Sequence, residues 1–373
     1  MSIYFDNAAT TKISNKALEA YNDICINYFA NPSANHSLGN LAKEKLEKTR
    51  DDIASLLGVN PATLYFTSGG TESNSIILSS LLWSKNPGEV IINKTEHASV
   101  INFERILIEK GFKIIKLNAP NGFISPKTLE KNINSKTRMI LIQAVNNVTG
   151  SINDIDTLVK ITREKEKEFN RKIYFHTDAV QALSKIDFDL TKLDVDSASF
   201  SAHKFHGPRG IGLLYAKNSN IQSLSRGGGQ ERGLRAGTEN LAAIVAMKVA
   251  LEESLKIDNS RIFELNKYVR DNLKPQILSP MDNYSPFIIN FSVQPFPSEV
   301  FTRMLDDAGF LVSAGSACSN NAKNKGESVL LAMNFDSKIA KSSIRISFDK
   351  YTKSEDVELL VKTINSLYDT LVR

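Results

Sequence analysis

Apolar and polar positions follow two rhythms along this chain. Solid apolar runs predict strands at Leu64–Thr67, Val90–Asn93, Lys113–Leu117, Met139–Ala144, Ile173–His176, Ala198–Ser201 and Ile211–Tyr215. Several lack the in–out alternation of a half-solvated sheet, as expected where both faces are covered. Between them the period lengthens. Leu41–Leu57 places Leu46, Ile53, Ala54 and Leu57 on one face, and Asp154–Phe169 and Thr238–Leu255 share the helical spacing. Strand–helix alternation of this kind predicts an α/β fold around a mainly parallel sheet flanked by helices.

Beyond Leu255 the texture changes. A polar stretch, Lys256–Ser260, leads into another helical segment, then strands at Phe287–Val293, Phe310–Ser313 and Ile344–Phe348. A last helix, Ser354–Leu371, lines up Val357, Leu360, Val361, Ile364 and Leu367. The expected organisation is a large domain over residues 12–256 and a smaller α/β domain over 257–373. The extended start, residues 1–11, docks on the smaller one.

Composition narrows the class. A chain of 373 residues, 42% hydrophobic and 23% charged, has the balance of a globular protein with a sizeable core. The 46 basic against 41 acidic residues leave a net +5, too small an excess to argue for a nucleic-acid or membrane partner. Two cysteines, Cys25 and Cys318, do not make a disulfide framework, which favours a reducing cytosol. The start, Met1–Thr11, does not read as a signal peptide, and the apolar run Ile76–Trp83 is far too short to span a bilayer. The expectation is a soluble cytoplasmic enzyme.

Chemistry concentrates where strands end. Lys204, in Ser201-Ala202-His203-Lys204, follows a strand, and ligands of open α/β sheets bind at the carboxyl ends of strands. Beside His203, His206 and a Gly-Pro turn it reads as a Schiff-base lysine, with a solvated loop lysine as the plain alternative. Asp178 closes the preceding strand. A lysine and a carboxylate at neighbouring strand ends match what pyridoxal phosphate requires, an amine to bind the cofactor and an acid for its pyridine nitrogen. Asp178 also suits a helix cap. Ser68-Gly69-Gly70-Thr71-Glu72-Ser73 joins a strand to a helix, where free amides and the dipole favour an anion. No Gly-Lys-Ser/Thr follows, which disfavours a nucleotide. His97 follows Val90–Asn93 and could stack on an aromatic cofactor, carry a proton or simply cap a helix. The histidines and cysteines have no zinc-ligand spacing. Cys318 sits in a polar, glycine-containing stretch that predicts a mobile loop, so its thiol is either nucleophilic or an inert small residue. Cys25, among apolar neighbours, is expected to be inert.

These segments together resemble the cysteine desulfurases of the NifS/IscS-like group. The likeness rests on Phe5-Asp6-Asn7-Ala8-Ala9-Thr10-Thr11, Asn31-Pro32-Ser33 with His36, Thr67–Ser73, Thr95-Glu96-His97, Val145-Asn146-Asn147, Asp178-Ala179-Val180-Gln181, Ser201–Lys204, Arg235–Asn240 and Gly315-Ser316-Ala317-Cys318, in that order along nearly the whole chain. The resemblance implies a fold-type I pyridoxal phosphate enzyme of the class V aminotransferase kind, a homodimer with a seven-stranded sheet in its large domain. By matching motif, it makes Lys204 the cofactor-binding lysine, Asp178 the partner of the pyridine nitrogen, Gln181 a donor to the ring oxygen and His97 the stacking residue. Gly70, Thr71, Ser201 and His203 would bind phosphate, with Thr238 reaching in from the partner subunit. Asn147 and Arg345 would hold the carboxylate of L-cysteine, and Cys318 would take its sulfur as a persulfide. Sulfur-acceptor proteins of iron–sulfur cluster assembly or tRNA thiolation follow as partners.

Three departures touch the surroundings rather than the named groups: Val148-Thr149-Gly150 after Asn147, Lys12-Ile13-Ser14 after Thr11, and Phe348-Asp349-Lys350 after Ser347. The rivals are a selenocysteine lyase, another class V aminotransferase, which would not need Cys318, and a non-catalytic scaffold, which would be expected to have lost Lys204, Asp178 or Cys318.

Overall fold

The computed structural model describes residues 2–217, 221–222, 224–314 and 329–372. The strands are β1 (Ile3–Tyr4), β2 (Leu64–Thr67), β3 (Glu89–Asn93), β4 (Lys113–Leu117), β5 (Thr137–Leu141), β6 (Tyr174–Asp178), β7 (Ser197–Ser201), β8 (Gly212–Ala216), β9 (Gln276–Ile277), β10 (Ile288–Ser292), β11 (Phe310–Leu311), β12 (Ser313–Ala314) and β13 (Ser343–Ser347).

Seven of them form one sheet in the order β2-β8-β7-β6-β5-β3-β4. The pairs β3–β4, β3–β5, β5–β6 and β6–β7 are parallel, while β8 runs antiparallel to both β2 and β7. One reversed strand between two others restores direction. The carboxyl ends of β2, β3, β5, β6 and β7 therefore share one edge of the sheet. Helices cover both faces. Ser37–Leu57 ends where Gly58 turns left-handed at φ 67°. Asp154 caps Ile155–Phe169 by accepting from the Thr157 N–H. Leu241–Leu255 is apolar on nearly every side because it is buried; it begins three residues later than its periodicity predicts, since Asn240 caps it. The helix Asn15–Asn27 has no counterpart among the predicted elements: its polar mixture hides a stripe of Ala17 and Ile24. Cys25 faces solvent on it rather than packing as an inert small residue.

A second sheet, β12-β13-β10-β9, is antiparallel, and β1 pairs with β11 in a parallel two-stranded ribbon. The strand predicted over Phe310–Ser313 is two strands, because the chain passes at Val312 from the ribbon to the larger sheet. Along β13, Ile344 and Ile346 enter a core built from Phe5, Phe291, Phe301 and Phe348. Arg345, between them, points the other way, as the two-residue period of a strand requires. Phe5 belongs to this core and not to that of the seven-stranded sheet. Among the described residues no helix is long and apolar enough to cross a membrane.

Candidate active site

The shared strand edge gathers the predicted groups. Gly70 and Thr71 follow β2, His97 follows β3, Asn147 follows β5, and Asp178 and Ser201 are the last residues of β6 and β7. With Gln181, His203 and Lys204 they line one cavity of about 430 Å³.

At its base Asp178 is held from two sides. Oδ1 accepts from the Val180 N–H at 3.0 Å, and Oδ2 from Asn74 Nδ2 at 2.8 Å. The carboxylate fixes the Asn74 amide with its nitrogen inward, which turns Oδ1 of Asn74 to His176 Nε2, 2.9 Å away. That ring nitrogen must therefore carry the proton, leaving Nδ1 to accept from the Ser197 hydroxyl at 2.7 Å. Burial pushes His176 down to about 4, against the opposing pull of Asp178, so the ring is neutral. Asn74 also donates to Ser99 Oγ at 2.9 Å, and Ser99 bonds His97 Nδ1. Thus one buried amide ties Asp178 to the helix start that His97 caps.

Lys204 ends a helical turn after β7, and its Nζ donates to the carbonyls of Ala8 and Ala9, both at 2.7 Å. Gln181 Nε2 donates to the same Ala8 oxygen at 2.8 Å. The amino-terminal segment therefore lies directly against the amine. His203 is pushed down to about 4 by burial and by the charges of Lys204, Lys185 and Arg209.

The opposite end of the cavity suits an anion. Gly69 adopts φ 154°, and the helix Gly70–Ser80 starts there with its first amides unspent within the helix. A Cβ on Gly70 would meet Val180 Cγ2 at 2.4 Å, so the turn can lie this close to the β6 end only without a side chain. Arg209, on the turn before β8, adds positive charge to the lining.

The remaining predicted residues lie elsewhere. Arg345 is buried beside the cavity, donating Nη1 to the Asn147 carbonyl at 2.8 Å and Nη2 to Asp6 Oδ1 at 2.6 Å. Its Nε is buried with no partner among the described residues. Val148-Thr149-Gly150 forms the turn that presents Asn147, with both the Val148 and Thr149 amides donating to Asn146 Oδ1 at 2.9 Å. Thr238 is exposed and outside this chain's cavity. Cys318 lies outside the described residues.

The aminotransferase class-V family profile matches residues 3–360. The chain belongs to the class-V aminotransferase family. Within it the similarity is to the NifS/IscS group. A "NifS/IcsS protein homolog" of Lactobacillus delbrueckii subsp. bulgaricus is 38% identical, over 98% of this chain and 97% of its own length. A "Cysteine desulfurase IscS" of Dictyoglomus turgidum is 36% identical, over 99% and 95%. A solved "NifS-like protein" superposes with TM-score 0.90 at 34% identity, covering 99% of this chain and all of its own.

Class-V aminotransferases use pyridoxal phosphate, and the donor set fits it: an amine, a carboxylate and a helix start built for an anion open onto one cavity. Sequence reading missed the groups that hold these in place. Asn74 looks like one more polar residue near a helix start. Glu96 is fully enclosed, and burial, reinforced by the Asp178 charge, raises its carboxyl well above the usual range, although the Gln143 N–H partly opposes this. Lys185 is buried too. For Glu96 the available signal was its position within Thr95-Glu96-His97, and for Asn74 its place directly after Thr67–Ser73.

Proposed function

We propose that this class-V aminotransferase relative is a pyridoxal phosphate-dependent cysteine desulfurase. The overall conversion is L-cysteine plus an enzyme thiol to L-alanine plus an enzyme persulfide. The observation that carries the reading is the meeting of Lys204, Asp178 and the Gly69–Gly70 helix start in one cavity, in a chain whose full-length relatives are named as cysteine desulfurases.

Lys204 would hold the cofactor and, once released by substrate, move the proton at the substrate α-carbon. Asp178, immobilised by Asn74 and the Val180 amide, would pair with the pyridine nitrogen. Gln181 would donate to the ring oxygen and His97 would cover the ring face. Gly70, Thr71, Ser201 and His203 would hold the phosphate. When bound, the cofactor withdraws electrons from the substrate carbon. Asn147 and Arg345 would orient the substrate carboxylate, for which Arg345 keeps one buried donor, Nε, unspent. Cys318 would attack the substrate sulfur as a thiolate: the new S–S bond forms as the C–S bond breaks, and the carbon takes a proton to become alanine.

The substrate would sit between a large domain of residues 12–256 and a small domain of 1–11 and 257–373. A homodimer accounts for two features: Thr238 is exposed away from this chain's cavity, and Ile26 at the end of the helix Asn15–Asn27, which packs on Leu241–Leu255, and Phe29 just beyond it are each 71% exposed. Protein acceptors of the persulfide, in iron–sulfur cluster assembly or tRNA thiolation, and a cytoplasmic location complete the reading.

Mass spectrometry after cysteine treatment tests it. Cys318 is expected to gain the mass of one sulfur atom while alanine accumulates. Cys318→Ala should abolish both, and Lys204→Ala should abolish the visible cofactor band. Undiminished alanine from Cys318→Ala would sink the assignment.

A further inference from the structure

Among the described residues, Lys185 is the one buried amine whose place the reaction above does not use. It sits in the turn after β6, four residues beyond Gln181, and is only 6% exposed. Its Nζ donates to Gln181 Oε1 at 2.7 Å. Among the described residues it has no second hydrogen-bond partner and no carboxylate in ion-pair contact. A buried amine spent on a single neutral side chain calls for a reason, since burial of such a group is costly.

The reason lies at the other end of that side chain. An amide can turn end over end, exchanging a donor for an acceptor. Gln181 Nε2 faces the cavity and donates to the Ala8 carbonyl, the same oxygen that Lys204 holds. Turned round, it would set its own carbonyl against that of Ala8 and present lone pairs to the cofactor. A lysine ammonium has three N–H donors and no acceptor, so it accepts only one orientation of its partner.

We propose that Lys185 is a positioning residue that locks the Gln181 amide with its donor end toward the cofactor site. The inference rests on the cofactor reading given above. Lys204 and His206 reach the same small cleft from beyond β7, and Asp349 and Lys350 from beyond β13. Burial, then the charges of Lys204 and Arg345, pull Lys185 down to about 7, with Asp349 opposing. The neutral amine carries a lone pair beside its two N–H bonds, so the lock is tightest below about pH 7, where the ammonium prevails, and above it the Ala8 carbonyl alone disfavours the turned amide.

Lys185→Met tests the lock, because it fills the same space without a donor. Lys185→Arg keeps a donor-only group. The first measurement needs no cofactor: proton exchange of the Gln181 side-chain amide in 15N-glutamine-labelled protein, assigned with Gln181→Glu. Exchange is expected to quicken about tenfold in Lys185→Met, the loss of one hydrogen bond, and to return toward the original rate in Lys185→Arg. In cofactor-loaded protein the pH midpoint of the visible band should rise by about one unit in Lys185→Met, because a donor to the ring oxygen is lost. Unchanged Gln181 exchange in Lys185→Met overturns the proposal, whatever the visible band does. A wild-type protein with no visible band overturns the cofactor reading instead, and the amide exchange still decides this one.

Discussion

Asn74 carries no titratable group, yet Asp178, Ser99 and His176 all depend on which way its amide points. Asn74→Leu would strand a buried carboxylate oxygen and leave the His176 ring N–H only the longer contact to Ser199 Oγ at 3.3 Å. The expected loss is about 1–3 kcal/mol of stability with weaker cofactor retention, read by urea unfolding and by dialysis of the loaded protein. Wild-type values for both would show that the network does not hold Asp178. At Gly70 the constraint is space. Gly70→Ala drives a methyl into Val180 at 2.4 Å, so overpacking of about 1–3 kcal/mol is expected, with Val180→Ala recovering part of it. No recovery in the double variant would place the strain elsewhere. The contrast with Lys204 and Asp178 explains what sequence can reveal at this scale. Each of those follows a visible strand, so the rule about strand ends points straight at them. Asn74 acts through partners up to 104 positions away in the chain, and no local pattern encodes such a distance.

Between elements, the turn Gln230–Gly233 is fastened to the helix Ser37–Leu57 by a buried pair. Arg50 meets Glu231 through two parallel bonds of 2.8 and 2.9 Å, and Glu231 also accepts from the Phe66 N–H of β2 at 2.7 Å. Burial alone would pull the guanidinium down, but Glu231 more than compensates and holds it above its ordinary value. Removing Glu231 leaves the buried guanidinium only the half-exposed Glu47, at 3.0 Å, and the Leu64 carbonyl. Glu231→Gln is expected to cost about 3–5 kcal/mol, visible as a lower midpoint in thermal unfolding. A change under about 1 kcal/mol would mean that water reaches Arg50 in the variant. Neither residue stands out in the sequence. The seven large-sheet strands did, because a run covered on both faces is solidly apolar. Leu64–Thr67 and Lys113–Leu117 kept their bounds and the others moved by one to three residues, by two at the polar ends Thr137 and Asp178, which still make ladder bonds. The reversed direction of β8 was invisible, since apolar runs do not record which way they point.

For the molecule as a whole, acidity reaches the fold through His176. An unfolded imidazole takes up a proton near 6.5, whereas burial holds the folded one near 4. Between those values the unfolded chain binds more protons, so this residue's contribution to stability falls as pH drops from about 6.5 toward 4. The unfolding free energy of His176→Gln should therefore decline less steeply over that window than that of the wild type. Parallel curves would refute the assignment of a neutral ring. The change of texture near Leu255 was legible, and many apolar residues beyond it cluster with Phe5 and Ala8. Within the crossing of the amino-terminal segment, the contacts of Ala8 and Ala9 with Lys204 are set by tertiary packing alone.

That crossing has a bearing on how the protein matures. Phe5 packs with Phe310 and Phe348, and Asn7 donates to the Ser347 carbonyl, while Ala8 and Ala9 supply the acceptors for Lys204. On the ribosome the first of these residues emerges some three hundred positions before its packing partners. The growing polypeptide can raise most of its large sheet early, but Lys204 must wait until the segment from Phe310 to Phe348 has been made before its two backbone acceptors come to rest.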